Sequence, residues 1–141
     1  MEREERLAAI SYAEREILED LADRVLEDLP VEVSRGPSVG LLMLRGEEPS
    51  ERLQFNFSEV TVSEAEVTAN DRRGYAMVMG RQPEKALAGA VLDVALELGH
   101  PTSGEIEAAL KAALAVEDAR KRSAVASVAG TRVLFEEMKP A

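Results

Sequence analysis

Gly74-Tyr75-Ala76-Met77-Val78-Met79-Gly80-Arg81 reads as a strand that ends on Gly-Arg, and Pro83 follows at once at the head of a long amphipathic segment. In that segment Leu87, Ala90, Val91, Val94, Ala95 and Leu98 form one continuous apolar stripe, the signature of a helix over 83–98 packed on a sheet. Proline suits the first helical position, where its missing N–H would be unpaired anyway. Glu84 complements the dipole there, and Gly99-His100-Pro101 is a stop signal. A strand that hands over to a helix at Gly80-Arg81 sets a fixed cation beside unpaired amides, a possible anion site. Gln82 holds the cap position and is a weaker cap than Asp, which leaves those amides open. The competing reading pairs Arg81 with a carboxylate of this chain or of a neighbour.

Working outward, residues 4–29 read as helical. Leu7, Ile10, Ile17, Leu18, Leu21, Val25, Leu26 and Leu29 recur at three- and four-residue spacing. The stripe skips at Glu14, so a kink or a pair of helices is expected, and Pro30 ends the segment. A β-rich middle follows. Residues 31–35 alternate weakly, and Gly36-Pro37-Ser38 is a turn signal. The apolar run 39–45 fits a strand buried on both faces. Residues 47–52 read as a polar loop around Pro49, and Leu53, Phe55 and Phe57 then alternate with Gln54 and Asn56. Val60 and Val62 share one face, yet the next set is Ala65, Val67 and Ala69. The period-two phase slips by one, which predicts a β-bulge or the meeting of two short strands.

Beyond the stop, Thr102 with Glu105 predicts a capping box for a further helix running to about residue 128. Gly130 breaks that pattern, and 131–138 reads as a last strand with Val133 and Phe135 on one face. The expected architecture is one α+β domain over residues 1–141. It has an N-terminal helix or helix pair, a mostly antiparallel sheet, two later helices and a C-terminal strand. That last strand could pair locally or with another subunit.

The chain has 141 residues, 45% of them apolar, enough to bury a modest core. Aromatic residues are only 4% and tryptophan is absent, so stacking platforms for bases are scarce. With 27 acidic and 17 basic residues the formal net charge is -10, which repels a nucleic-acid backbone and attracts a basic protein. Cysteine is absent, which excludes a disulfide framework and thiolate chemistry. The charged start lacks the apolar core of a signal peptide, and no apolar run approaches the roughly 20 residues of a membrane helix. The expectation is a soluble, cytoplasmic protein with no membrane and no nucleic-acid partner.

No self-sufficient catalytic set is legible. His100 is the one histidine and sits in a helix-ending loop, which argues against a Ser-His-Asp arrangement and excludes a histidine metal site. Carboxylates are plentiful but form no specific Mg²⁺ pattern, and no phosphate-binding glycine loop is present. Glu59, at the entry of a strand, is either an acid that fixes a partner or a solvated turn carboxylate. These features point to a scaffold or subunit, with a free-standing small-anion or nucleotide-binding module as the alternative.

Four pieces in order carry a family resemblance. They are Gly36 to Gly46 with its Leu-Leu-Met-Leu-Arg-Gly end, Phe55-Asn56-Phe57-Ser58-Glu59-Val60-Thr61-Val62, Gly74 to Arg81, and Ala129-Gly130-Thr131-Arg132-Val133 with Phe135. Together with Asp93 they resemble the PhnG family, the G subunit of the bacterial carbon–phosphorus lyase system, over about 31–138. The resemblance implies a supporting, non-catalytic subunit of a transferase, inactive alone. That enzyme, α-D-ribose 1-methylphosphonate 5-triphosphate synthase, makes α-D-ribose 1-alkylphosphonate 5-triphosphate from ATP and an alkylphosphonate and releases adenine, in phosphonate catabolism. It implies the H, I, J and L subunits as partners, with self-association of this chain in a two-fold core that also holds H, I and J. ATP is then a substrate of the complex, and this subunit alone binds no cofactor. The matched positions Arg81, Gly80, Tyr75, Glu59, Arg45 and Arg132 become candidate anion or partner contacts. Glu64 stands where the family usually has a basic residue, Gln82 where it usually has Asp, and Ser58 where it usually has Gly.

Overall fold

A computed structural model describes residues 1–48 and 53–138, with side-chain environments for 1–43 and 59–124. The chain is α+β, with helices α1 (Arg3–Tyr12) and α2 (Arg15–Leu26), strands β1 (Glu32–Glu48), β2 (Leu53–Ala69) and β3 (Arg72–Met79), then α3 (Pro83–Leu98) and α4 (Ser103–Met138). The skip at Glu14 is the break between two helices: Ala13 and Glu14 are extended, with ψ of 155° and 139°. The three strands form an antiparallel sheet in the order β1-β2-β3. Among the described residues no helix is long and apolar enough to cross a membrane.

α3 is the centre of the body. It packs on one face of β2 and β3 and is covered on its other side by α2, while α1 runs against β3 and α4. The predicted stripe understates it, for Ala88 and every residue from Gly89 to Ala95 are buried. The inner face of the sheet is made of Ala65, Val67 and Ala69 on β2 with Ala76 and Val78 on β3, and small residues there let the helix come close. Closest is Gly74, where an added Cβ would lie 2.2 Å from the Ala90 carbonyl oxygen and 2.7 Å from Val94 Cβ. Leu18, Val25, Leu92, Ile106 and Leu110 complete the core, the last two anchoring the start of α4.

Several expectations are corrected. Residues 131–138 are not a strand; they continue α4 to Met138. A single glycine inside a helix costs only about 1 kcal/mol against alanine, so Gly130 does not end it. The expected turn at Gly36-Pro37-Ser38 is instead an irregularity inside one strand, because β2 runs past it unbroken and pairs on both sides. Register shifts at Val33/Arg35 and Arg35/Ser38 absorb the extra β1 residues. The phase slip in β2 produces neither a bulge nor a new strand: pairing with β3 is continuous from Val62 to Ala69, and Ser63 takes the inner-face position. The run 39–45 is not buried on both faces. Leu41 is 68% exposed, with Val39, Leu42 and Met43 also exposed, because these residues pair with β2 positions beyond the start of α3. The expected loop is β1 as far as Glu48, and its remainder, 49–52, lies outside the described residues. The side chains of Phe55 and Phe57 also lie outside them.

The close approach at Gly74 is testable. Gly74→Val overpacks a backbone contact that cannot retreat, and should cost about 3 kcal/mol in urea unfolding. Wild-type stability would mean that α3 does not sit this near β3.

Candidate functional site

The corner between β3 and α3 is built around Ser63. Its side chain is fully buried on the inner face, where alternation calls for an apolar residue. The Ser63 hydroxyl donates to the Gly80 carbonyl at 2.7 Å and accepts the Gln82 N–H at 2.8 Å. The Gly80 N–H donates to the Thr61 carbonyl at 2.7 Å, and Gly80 has a φ of 84°, a turn that a side chain would resist. The Gln82 side chain does not cap α3; its amide donates to the Met79 carbonyl at 2.8 Å. The corner is thus held by the backbone of β2 and of the turn after β3, together with one hydroxyl, and Arg81 projects from it exposed. Among the described residues Arg81 makes no ion pair or side-chain hydrogen bond.

The second polar centre is Asp93. It interrupts the apolar run of α3 and is fully buried. One carboxylate oxygen accepts the Tyr75 backbone N–H at 2.9 Å and Arg3 Nη2 at 2.8 Å; the other accepts Arg6 Nε at 2.8 Å. Arg6 is itself buried and also pairs with Glu97, which Arg3 and Arg72 approach at 3.8 Å. The hydrogen bond from Arg6 is the main reason that the Glu97 carboxyl lies below the usual range. A carboxyl lowered on folding stabilises the fold above its unfolded pKa and loses that contribution as pH falls through the folded value. Acid therefore loosens this clamp.

Tyr75 is bound at both ends. Its N–H serves Asp93, and its hydroxyl donates to Glu64 at 2.7 Å. Burial, then the hydrogen bond to Glu64 and that residue's negative charge, push the phenol up to about 12. Glu64, the charge-reversed position of the sequence, is therefore engaged inside the chain. Lys85, in the first turn of α3, is buried and donates to the Ser11 carbonyl at 2.7 Å. It caps the C-terminal end of α1, and burial lowers its pKa. His100 is structural: Nδ1 faces the Thr102 hydroxyl at 2.8 Å and accepts its N–H at 3.2 Å, and Nε2 donates to Asp28 at 2.5 Å. The Thr102 hydroxyl is thereby taken from the expected capping box, and Glu105 pairs with Arg24 instead.

The predicted site residues do not converge on one pocket. Gly80 and Arg81 share the corner. Tyr75 lies further along β3 with its side chain directed to Glu64 on the other face of the sheet. Glu59 is exposed, opposite Met43 on the β1–β2 arm, and Arg45 pairs across that arm with Asn56. Arg132 belongs to α4, and the side chains of Arg45 and Arg132 lie outside those described. The sequence reading missed Ser63, Arg3, Arg6, Lys85 and Glu97. A signal existed for Ser63, which sits at the phase slip. Among the described residues no group of three or more His, Cys, Asp or Glu is placed to hold a metal ion. A mostly apolar cleft of about 260 Å³ is lined by Tyr12, Ile17, Ala109, Ala113 and Val116, with Glu14 and Glu117 as its acidic groups. Among the described residues the arrangement can hold surfaces in place and does not line up an acid, a base and a nucleophile.

A family model described as "Phosphonate metabolism protein PhnG" matches residues 1–139. The chain is also 32% identical over 134 residues to the alpha-D-ribose 1-methylphosphonate 5-triphosphate synthase subunit PhnG of Rhizobium meliloti (strain 1021), a match that covers 94% of this chain and 83% of that protein.

Two substitutions test the two polar centres. Asp93→Asn leaves the buried Arg6 facing an amide and should cost about 3 kcal/mol in urea unfolding, the penalty of breaking a buried pair from one side. Ser63→Ala orphans a buried N–H and a carbonyl at the corner and should cost about 2 kcal/mol. A loss under about 0.5 kcal/mol for either, within the range of ordinary surface changes, would contradict the bonding described.

Proposed function

This chain belongs to the PhnG family of phosphonate metabolism proteins, and on that premise we propose that it is a supporting, non-catalytic subunit of the synthase that joins an alkylphosphonate to the ribose of ATP. In that reaction a phosphonate oxygen attacks C1 of the ribose, the bond to the base breaks, and adenine leaves with a proton. The product is α-D-ribose 1-alkylphosphonate 5-triphosphate. ATP is a substrate of the complex and not a cofactor of this chain, and the use of ATP makes the cytoplasm its compartment.

The observation that carries this reading is the similarity, along 94% of the chain, to a protein whose name makes it a subunit of such a synthase. The geometry supports it. Among the described residues, the buried Asp93, Arg6 and Lys85 and the loop residue His100 are bonded to other parts of this same chain. The chemistry then resides on a partner, and the partners are the H, I and L subunits, with J in the larger two-fold core. Arg81 and Glu59, exposed beside the corner and the arm, are partner contacts on this proposal, with Gly80 and Tyr75 holding the backbone behind them. Arg45 and Arg132 are assigned the same role.

Co-expressed with the I subunit, the chain should co-elute with it and bind with a Kd below micromolar. A chain that stays monomeric, with no affinity for the I subunit at micromolar concentration, would overturn the proposal. ATP or triphosphate should leave the melting temperature of the lone chain unchanged. A rise that Arg81→Ala abolishes would favour a free-standing anion-binding module instead.

A further inference from the structure

Val39 to Met43 is the apolar stretch of β1, and β1 is an edge of the sheet: among the described residues it pairs only with β2. Edge strands expose a row of unpaired N–H and C=O groups, which folded proteins blunt with proline, charge or bulges. β1 carries such devices in its first half, where two register shifts and Pro37 fall between Val33 and Ser38. Its second half has none. From Ser38 opposite Glu64 to Leu44 opposite Ser58 the register is regular, and no charge or proline interrupts Val39-Gly40-Leu41-Leu42-Met43.

The faces of this stretch are open as well as its edge. Val39, Leu41 and Met43 alternate on the side of α3, but α3 begins at Pro83, level with Ser63, so Leu41 and Met43 lie beyond its end. Leu42 is exposed on the opposite side at 42%. A regular, apolar strand that is open at its edge and on both faces has the composition of a buried strand. It also has the geometry of a docking strand, which takes main-chain hydrogen bonds from an added segment and side-chain specificity from alternate pockets.

Two occupants could use that edge, a second copy or a different chain. Charge decides between them. Each copy carries -10, so pairing two copies along β1 brings like charges together, with the exposed Glu59 beside Met43 adding to the repulsion. A positively charged partner gains from the same field. We propose that residues Val39 to Met43 receive an extended segment of a basic partner subunit as a fourth strand, and that the same partner covers Leu41 and Met43. This rests on the subunit reading above and adds where the contact is made and by what chemistry.

The test uses the full chain co-expressed with the I subunit. Leu41→Glu, at a position too exposed to matter for folding, should leave the melting temperature of the lone chain unchanged and weaken the complex at least about 100-fold, as a central contact does. Leu41→Met should bind as wild type. Amide exchange of the 39–43 peptide should slow at least tenfold in the complex, and affinity should fall as salt is added. A complex that forms with 39–43 still open to exchange, and that tolerates Leu41→Glu, overturns this inference and leaves the subunit reading intact. A lone chain that dimerises with 39–43 protected overturns the choice of occupant. Failure of the wild-type chain to bind overturns both readings.

Discussion

The structure depends on one buried carboxylate. β3 is the last strand of the sheet, and the Tyr75 N–H points away from β2 toward the place a fourth strand would fill. Asp93 supplies the acceptor from α3, and Arg6 and Arg3 of α1 neutralise it. A carboxylate with no exposure is costly unless it is paired and fully hydrogen-bonded, and here it has three donors. The same three bonds join α1, β3 and α3, elements separated by up to 90 residues of sequence. The N-terminal helix is thus part of the sheet's edge and not an appendage, and the Tyr75 edge amide of β3 is satisfied within the chain.

That closure requires α3 to run very close to β3. Gly74 allows the approach at one end of the strand, and Ser63 sets the other end by bonding both the Gly80 carbonyl just past the strand and the amide of Gln82, the residue before the helix. Between them, alanines at Ala65, Ala69, Ala76 and Ala90 keep the gap narrow. The low aromatic content of the chain follows from this packing: a helix laid so near a sheet leaves no room between them for rings. The polar residues inside the layer are then few, and each has a structural partner.

Much of this was legible in the sequence where the signal is local. Pro83, the stripe to Leu98 and Gly99 located α3, and the skip at Glu14 located the break between α1 and α2. The corner at Gly80-Arg81 was legible for the same reason, since a strand ending and a helix beginning are events of a few residues. What failed was non-local. Gly36-Pro37-Ser38 looks like a turn until β2 is seen to pair across it, and 131–138 looks like a strand because Val133 and Phe135 alternate over too short a window to exclude a helix. Ser63 could be read as a phase slip but not as a bond to Gln82, and Asp93 could be seen in its stripe without any hint of Arg3 or Arg6. Neither set of partners is near in sequence, so no periodicity contains it.

The two edges of the sheet are treated in opposite ways, and the contrast carries functional meaning. At β3 the chain spends a buried carboxylate and two guanidinium groups, with the desolvation that entails, to satisfy a single edge amide. At β1 it blunts the first half with irregularities and leaves Val39 to Met43 regular, apolar and open. Were water the permanent neighbour of both edges, the cheaper device would serve at both, since a lysine or a proline blunts an edge without burying any charge. On the docking proposal, the edge left without even one charge is the one that takes its partner from outside, which directs association toward the β1–β2 arm and away from the Asp93 side.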